Sequence, residues 1–220
     1  MVAIGQRANF PTAALLTNMD TPLGCAVGNS LEVAEAVRVL RGEGPADLRT
    51  VSLALAAGML HLAGGGTPSA CRARAEHAIQ SGAAFDALVR MTAAQGGDVS
   101  VLYDAARFPQ ARMQRTVTAD AGGYLTRLDA ETVGRACVLL GAGRAAKDDV
   151  LDYSAGIYLH RKYGDAVTPG EALATLYAGS EERLAAGAER FRAAVTIGAQ
   201  PPPPLQLIYE YVDAEGRHDR

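Results

Sequence analysis

Surplus charge is the first thing this sequence lacks: 21 Lys and Arg stand against 24 Asp and Glu, a formal net charge of −3. Without a basic excess there is little to neutralise a phosphate backbone or an anionic bilayer, so neither nucleic acid nor membrane is expected as a partner. Cysteine is scarce too. Cys25, Cys71 and Cys137 are far apart, odd in number and without a CxxC pair, which argues against a disulfide framework and for reduced thiols in a cytoplasmic protein. No stretch approaches the roughly 18 consecutive apolar residues of a membrane helix. Residues 1–7, MVAIGQR, hold neither the apolar core nor the cleavage site expected of a signal peptide. Internal repeats are missing as well. The glycine run Gly64–Thr67 follows a helical stretch rather than a strand and lacks the Lys or Arg of a phosphate cradle, so it reads as a helix C-cap and linker.

What the chain does hold is apolar residue, 49% of its 220 positions, enough for one large domain or two small ones. The densest run of position-specific choices is Leu15 to Gly42, LLTNMDTPLGCAVGNSLEVAEAVRVLRG. Ala13 to Thr17 is suited to a short buried strand. Asn18 to Gly24 is a loop, because Pro22 fixes one backbone torsion and Gly24 frees others. Asn29 is placed to open a helix, with Glu32 as its capping-box partner; Leu31, Ala34, Val37 and Leu40 recur at helical spacing, and Gly42 stops it. A strand, a structured loop and a helix start thus meet at one place, and in α/β sheets ligands gather at the carboxyl end of such a strand.

Further on, Pro45 and Asp47 suit the first turn of a second helix, with Leu48, Val51, Leu55, Met59 and Leu62 as its buried stripe. His61, near that helix's end, could be a general base, but a packing or dipole-complementing role is the expectation. Two more helices are predicted over Ala70–Gln80 and Ala83–Gln95, followed by an irregular connector from Asp98 to Pro109 with a helical turn around Tyr103. From Arg112 the period changes. Thr116–Thr118 and Gly123–Thr126 read as short strands, Asp129 caps a helix ending at Gly141, and residues 144–149 are polar and exposed. An extended segment follows from Val150 to His160. Gly164–Gly170 is a turn leading into a strand at Ala172–Tyr177, and Glu181–Ala194 is an amphipathic helix with Leu184, Ala188 and Phe191 inward. Val195–Ile197 and Leu205–Val212 are strands separated by the rigid spacer Pro201–Pro204, and the polar tail from Asp213 is expected to fray.

The run ALLTNMDTPLGCAVGNSLEVAEAV resembles the second half of the thymidine and pyrimidine-nucleoside phosphorylases, whose usual form is TDM-x-x-PLG-x-AVGN-x-LEV-x-EA. The likeness continues through VTAD-x-x-G-Y, LGAGR and DYSAGIYLHRKYGDAVTPGEALATLYAG. Asn18 stands where the family usually has Asp, Thr21 where Gln is frequent, and Cys25 at a variable position. The resemblance implies an α/β fragment over residues 1–111, the later part of the catalytic domain, followed over 112–220 by the family's α+β hammerhead-like C-terminal domain. It implies a pentosyltransferase that moves (deoxy)ribose from a pyrimidine base to the co-substrate phosphate, working as a homodimer.

In the family, the residues that bind phosphate and base come from a first half carrying an SGRGL-x-x-TGGT-x-D motif. That motif does not occur here, so the expected catalytic and substrate-binding residues number none, and the chain alone is expected to be inactive. It would be one subunit of a split enzyme or a non-catalytic binding remnant. What does carry over is a K+ site, with the carbonyls of Leu23 and Ala26 and the carboxylate of Glu35 as ligands. The spacing Gly164-Asp165-x-Val167-x-x-Gly170 also resembles half of a biotinyl or lipoyl carrier motif; with no lysine in an MKM or DKA setting, it reads as shared strand–turn geometry. Lys147 and Lys162 lie outside any equivalent turn.

Overall fold

A computed structural model of the chain describes residues 1–144 and 146–219, and for His218 and Asp219 the backbone alone. Ala145, within the stretch expected to be polar and exposed, lies outside the described residues. In order, the elements are α1 (Val2–Arg7), β1 (Ala14–Thr17), β2 (Ala26–Val27), α2 (Asn29–Leu40), α3 (Ala46–Leu62), α4 (Pro68–Gln80), α5 (Ala83–Ala94), α6 (Ser100–Tyr103), β3 (Met113–Thr118), β4 (Gly123–Leu128), α7 (Ala130–Leu140), β5 (Gly156–Leu159), β6 (Ala166–Val167), β7 (Ala172–Ala178), α8 (Glu181–Ala194), β8 (Val195–Gly198), β9 (Ile208–Asp213) and β10 (Gly216–Asp219). The fold is a mixture of helices and antiparallel sheets.

The contacts divide the chain into two compact units that interleave in sequence: residues 1–18, 38–90 and 206–220, and residues 19–37 and 91–205. The first holds the sheet β1-β9-β10 and a helical layer. Here α3 packs on α4 through Leu53, Ala75 and Ile79, with Ala56, Leu60 and Ala84 around them. The stripe expected on α3 is therefore displaced. Val51, Leu53, Ala54 and Ala57 are buried, whereas Leu55 and Met59 are 47% and 65% exposed. Leu53 therefore packs inward among small alanines, while Leu55 and Met59 are turned outward. β1 also differs from expectation. It lies at the edge of its sheet, half-buried, and pairs antiparallel with β9, so the rule that places ligands at the carboxyl ends of parallel strands has no footing here. The tail does not fray: β10 pairs with β9 from Gly216 opposite Asp213 to Asp219 opposite Glu210. Asp213 turns the chain by accepting the N–H groups of Glu215 and Gly216, which fixes a hairpin that the polar composition concealed.

The second unit carries the main core. The sheets β2-β5-β7-β3 and β6-β4-β8 enclose, with α7 and α8, the fully buried Leu125, Leu128, Val133, Leu140, Ile157, Leu176, Leu184 and Phe191. Asp129 caps α7 by accepting the Thr132 N–H at 2.8 Å, and Gly141 ends it at φ +109°. Ser180 caps α8, whose buried face runs through Leu184, Gly187, Ala188, Phe191 and Ala194. β3 and β4 are consecutive in sequence yet belong to different sheets, joined by the turn at residues 119–122.

Candidate functional site

The loop from Met19 to Cys25 is tied down at nearly every step by groups of its own unit. The Ala130 N–H donates to the Asp20 carbonyl at 2.9 Å, and the Leu159 N–H donates to that of Cys25 at 2.7 Å. From the opposite chain direction, Glu35 of α2 is only 3% exposed. Its carboxylate accepts the Cys25 N–H at 3.0 and 3.1 Å and the Ala26 N–H at 3.2 Å. A buried carboxylate is tolerated only when such donors replace water, so its position and the loop's shape fix each other. Glu32 has a different task. It accepts the Gly28 N–H at 2.9 Å, one residue further back than the expected capping box at Asn29, while the Asn29 amide donates to the Ala142 carbonyl at 2.9 Å.

The three expected cation ligands stand as follows. Leu23 is 41% exposed on the loop. Ala26 lies in β2 opposite Tyr158. Because the neighbouring pair Cys25/Leu159 is the hydrogen-bonded one, Ala26/Tyr158 is the non-bonded pair of this antiparallel ladder, and its polar groups face away from the partner strand. Consistent with that, the Ala26 N–H goes to Glu35, and in an extended residue the carbonyl turns to the same side. The carboxylate and the Ala26 carbonyl therefore share one side of β2. Among the described residues no group of three or more His, Cys, Asp and Glu side chains is placed to hold a metal. A hard monovalent ion bound chiefly by carbonyls needs no such group.

Lys162 is the residue that the sequence reading missed. Its ammonium donates to the Pro22 carbonyl at 2.9 Å and to the Gly24 carbonyl at 2.5 Å. Gly24 sits at φ +74°, a conformation that turns its carbonyl at little cost only because it has no side chain. The lysine's own backbone is held by Asp165, whose carboxylate accepts the Lys162 N–H at 2.7 Å. The turn is pinned to β4 in turn, since Gly164 donates to the Leu125 carbonyl and Leu125 to that of Asp165. The Lys-x-x-Asp spacing before β6 was the available signal. Beside it, Glu171 accepts the Thr168 N–H and pairs with Arg161, and these two groups hold its carboxyl below the ordinary range.

Other candidates resolve into structural roles. His61 donates from Nδ1 to the Gly66 carbonyl at 2.8 Å, a bond that closes the Gly64–Gly66 linker after α3. Cys25, Cys71 and Cys137 form no disulfide. Cys137 is 7% exposed, donates to the Val27 carbonyl, and has its thiol pushed up to about 12 by burial and by the nearby Glu32 charge. It is the opposite of an activated nucleophile. Residues 164–170, expected as a turn alone, also contain the two-residue strand β6 before the expected strand β7.

The family described as pyrimidine nucleoside phosphorylase C-terminal domain matches residues 124–198. The chain is 38% identical over 213 residues, 96% of its length, to the pyrimidine-nucleoside phosphorylase of Geobacillus stearothermophilus, covering 49% of that protein. It is 42% identical over 182 residues to the enzyme of the same name from Bacillus subtilis, covering 82% of this chain and 42% of that one. Over 214 residues it is 40% identical to the thymidine phosphorylase of Mycobacterium tuberculosis, covering 96% and 47%. The chain thus spans about half the length of the curated relatives it matches, and it belongs to the thymidine and pyrimidine-nucleoside phosphorylase family, to whose C-terminal half it corresponds.

Proposed function

We propose that this chain supplies one wall of a pyrimidine-nucleoside (thymidine) phosphorylase, a cytoplasmic, homodimeric pentosyltransferase that moves (deoxy)ribose from a pyrimidine base to phosphate. The observation that carries this reading is the Pro22–Ala26 loop, held between the Glu35 carboxylate and the Lys162 ammonium, in a chain that aligns over 96% of its length with relatives named for that reaction. The division of labour follows family lineage rather than contacts: residues 1–111 are the later part of the catalytic domain, and 112–220 are the hammerhead-like C-terminal module.

Phosphorolysis places positive charge on the sugar and negative charge on the departing pyrimidine, so it needs an anchored phosphate on one side and donors to the base on the other. The 220 residues contain no motif for either task. Their part is to shape the loop and to present the Leu23 and Ala26 carbonyls and the Glu35 carboxylate to K+. The fit rests on chemistry at hand. Glu35 uses three of its acceptor directions on loop N–H groups and retains another, on the side of β2 that the Ala26 carbonyl faces. The Leu23 and Ala26 carbonyls and the Glu35 carboxylate would hold K+, which would supply a positive centre at this wall of the cleft.

The competing reading is a non-catalytic binding remnant. It draws on the edge position of β1 and on the exposure of Leu16, Leu55 and Met59, apolar residues that a partner segment could cover. Assay of the purified chain with thymidine and phosphate tests the main proposal. No thymine release is expected, and turnover comparable to that of an intact relative would refute the assignment of the chemistry to the other half.

A further inference from the structure

We infer that Lys162 is a positioning residue for the candidate site: with Glu35 it forms a clasp of opposite charges that sets the backbone of Pro22–Ala26, and thereby the aim of the Leu23 and Ala26 carbonyls. The cation clause of this inference rests on the phosphorylase reading; the clasp itself does not.

The argument is one of complementary partners on alternate atoms of a five-residue segment. The negative group takes N–H donors, those of Cys25 and Ala26. The positive group takes carbonyl oxygens, those of Pro22 and Gly24. None of these bonds draws on the Leu23 carbonyl, which lies between the two that the ammonium holds. A half-buried ammonium on two carbonyls is a specific arrangement, because a lysine in the open would spend its three donors on water. Its stem is not free to wander either. Asp165 fixes the lysine backbone, and Leu125, with 0% exposure, fixes the turn that carries both. The loop's geometry is thus referred to the rigid core through Lys162 on one side and α2 through Glu35 on the other. Loss of the ammonium would remove the bonds it makes to the Pro22 and Gly24 carbonyls, and the loosened segment would hold its N–H groups on Glu35 less firmly.

Hydrogen exchange on the full chain, resolved by residue, tests this with Lys162→Met, Lys162→Gln and Lys162→Arg. In the Met variant, exchange at the Cys25 and Ala26 amides rises about tenfold, the equivalent of one charge-assisted bond, while α8 and β4 amides keep their protection. Gln, a neutral donor of nearly the same length, falls between, and Arg restores most of the protection. Unchanged exchange at Cys25 and Ala26 in both neutral variants overturns the clasp. So does a rise of equal size throughout α8 and β4, which would make Lys162 a general stabiliser.

A second readout uses the enzyme assembled with a first-half polypeptide. There Lys162→Met weakens half-saturation by KCl by about tenfold, in the range seen when groups orienting metal ligands are lost, with kcat at saturating KCl unchanged and with rescue by Arg. An equal loss of kcat at every KCl concentration contradicts the cation clause. Should the wild-type assembly itself be inactive, the phosphorylase reading falls, and the exchange data still decide the clasp.

Discussion

At the scale of single residues, Glu35 illustrates how a side chain's chemistry is set by what replaces water around it. Glu35→Gln keeps the shape but removes the charge and forces an amide N–H₂ toward the N–H groups of Cys25 and Ala26. A stability loss of roughly 1–3 kcal/mol is expected, the usual range for a disrupted buried hydrogen bond, measurable as a lower denaturant midpoint with an unchanged slope. The cysteines make a second test. Cys71 is inaccessible and the Cys137 thiol is pushed up to about 12, whereas Cys25 is half-buried. Iodoacetamide on the native chain near pH 8 should modify Cys25 ahead of the other two, which react only on unfolding; early labelling of Cys137 would show that its packing is looser than described. The family resemblance named Glu35 as a cation ligand, not as the holder of the loop N–H groups, and the cap expected between Glu32 and Asn29 lies one residue from the Gly28 N–H that Glu32 takes. The local Lys-x-x-Asp spacing marks the turn that carries Lys162 but not its partners, because contacts across 138 to 140 positions leave no trace in local spacing.

Elements depend on a few close approaches that periodicity cannot display. β2 meets the start of β5 where Gly28, at φ +131°, faces Gly156: a Cβ on Gly28 would lie 2.6 Å from the Ala155 carbonyl oxygen and 2.8 Å from the Gly156 Cα. Both are backbone atoms that cannot step aside. Gly28→Ala is therefore expected to cost about 1–3 kcal/mol, and to exceed the cost of Gly42→Ala, where only the torsion opposes the change. Thermal melts of the two variants side by side provide the comparison.

Helix α7 supplies a pH test. The Asp129 carboxyl is held below its ordinary value near 3.8, first by its hydrogen bonding to Thr132 and to a smaller degree by Arg127. Its contribution is then fully present above that ordinary value and is lost as the pH falls through the depressed one. Asp129→Ala should lower the melting temperature by a few degrees at pH 7, with the gap from wild type closing in strong acid. A gap independent of pH would place the benefit in something other than the charged cap. Most helices were legible because their caps and turn glycines are local signals. The α3 stripe and the β10 hairpin were not, since one depends on which residues a neighbouring helix admits and the other on a single aspartate accepting two N–H groups.

At the scale of the whole molecule, the two units differ in how completely their apolar residues are covered. The second unit has a continuous core of fully buried side chains, and Phe191→Ala within it should cost about 3–5 kcal/mol. The first unit leaves β1 at a sheet edge and large apolar residues of α3 exposed. Among the described residues no helix is long and apolar enough to cross a membrane. The family was legible from the sequence over nearly its whole length because its motifs lie in loops and turns, where specific residues are demanded. The antiparallel pairing of β1 was not, because an apolar run does not say in which direction its partner travels.

The most direct test is phosphate-dependent release of thymine from thymidine by the 220-residue chain combined with a polypeptide corresponding to the first half of a relative such as the Geobacillus enzyme. The mixture should release base and require phosphate, with each component inert alone. A mixture that binds as a complex yet releases no thymine, or a chain that is fully active unassisted, would contradict the account.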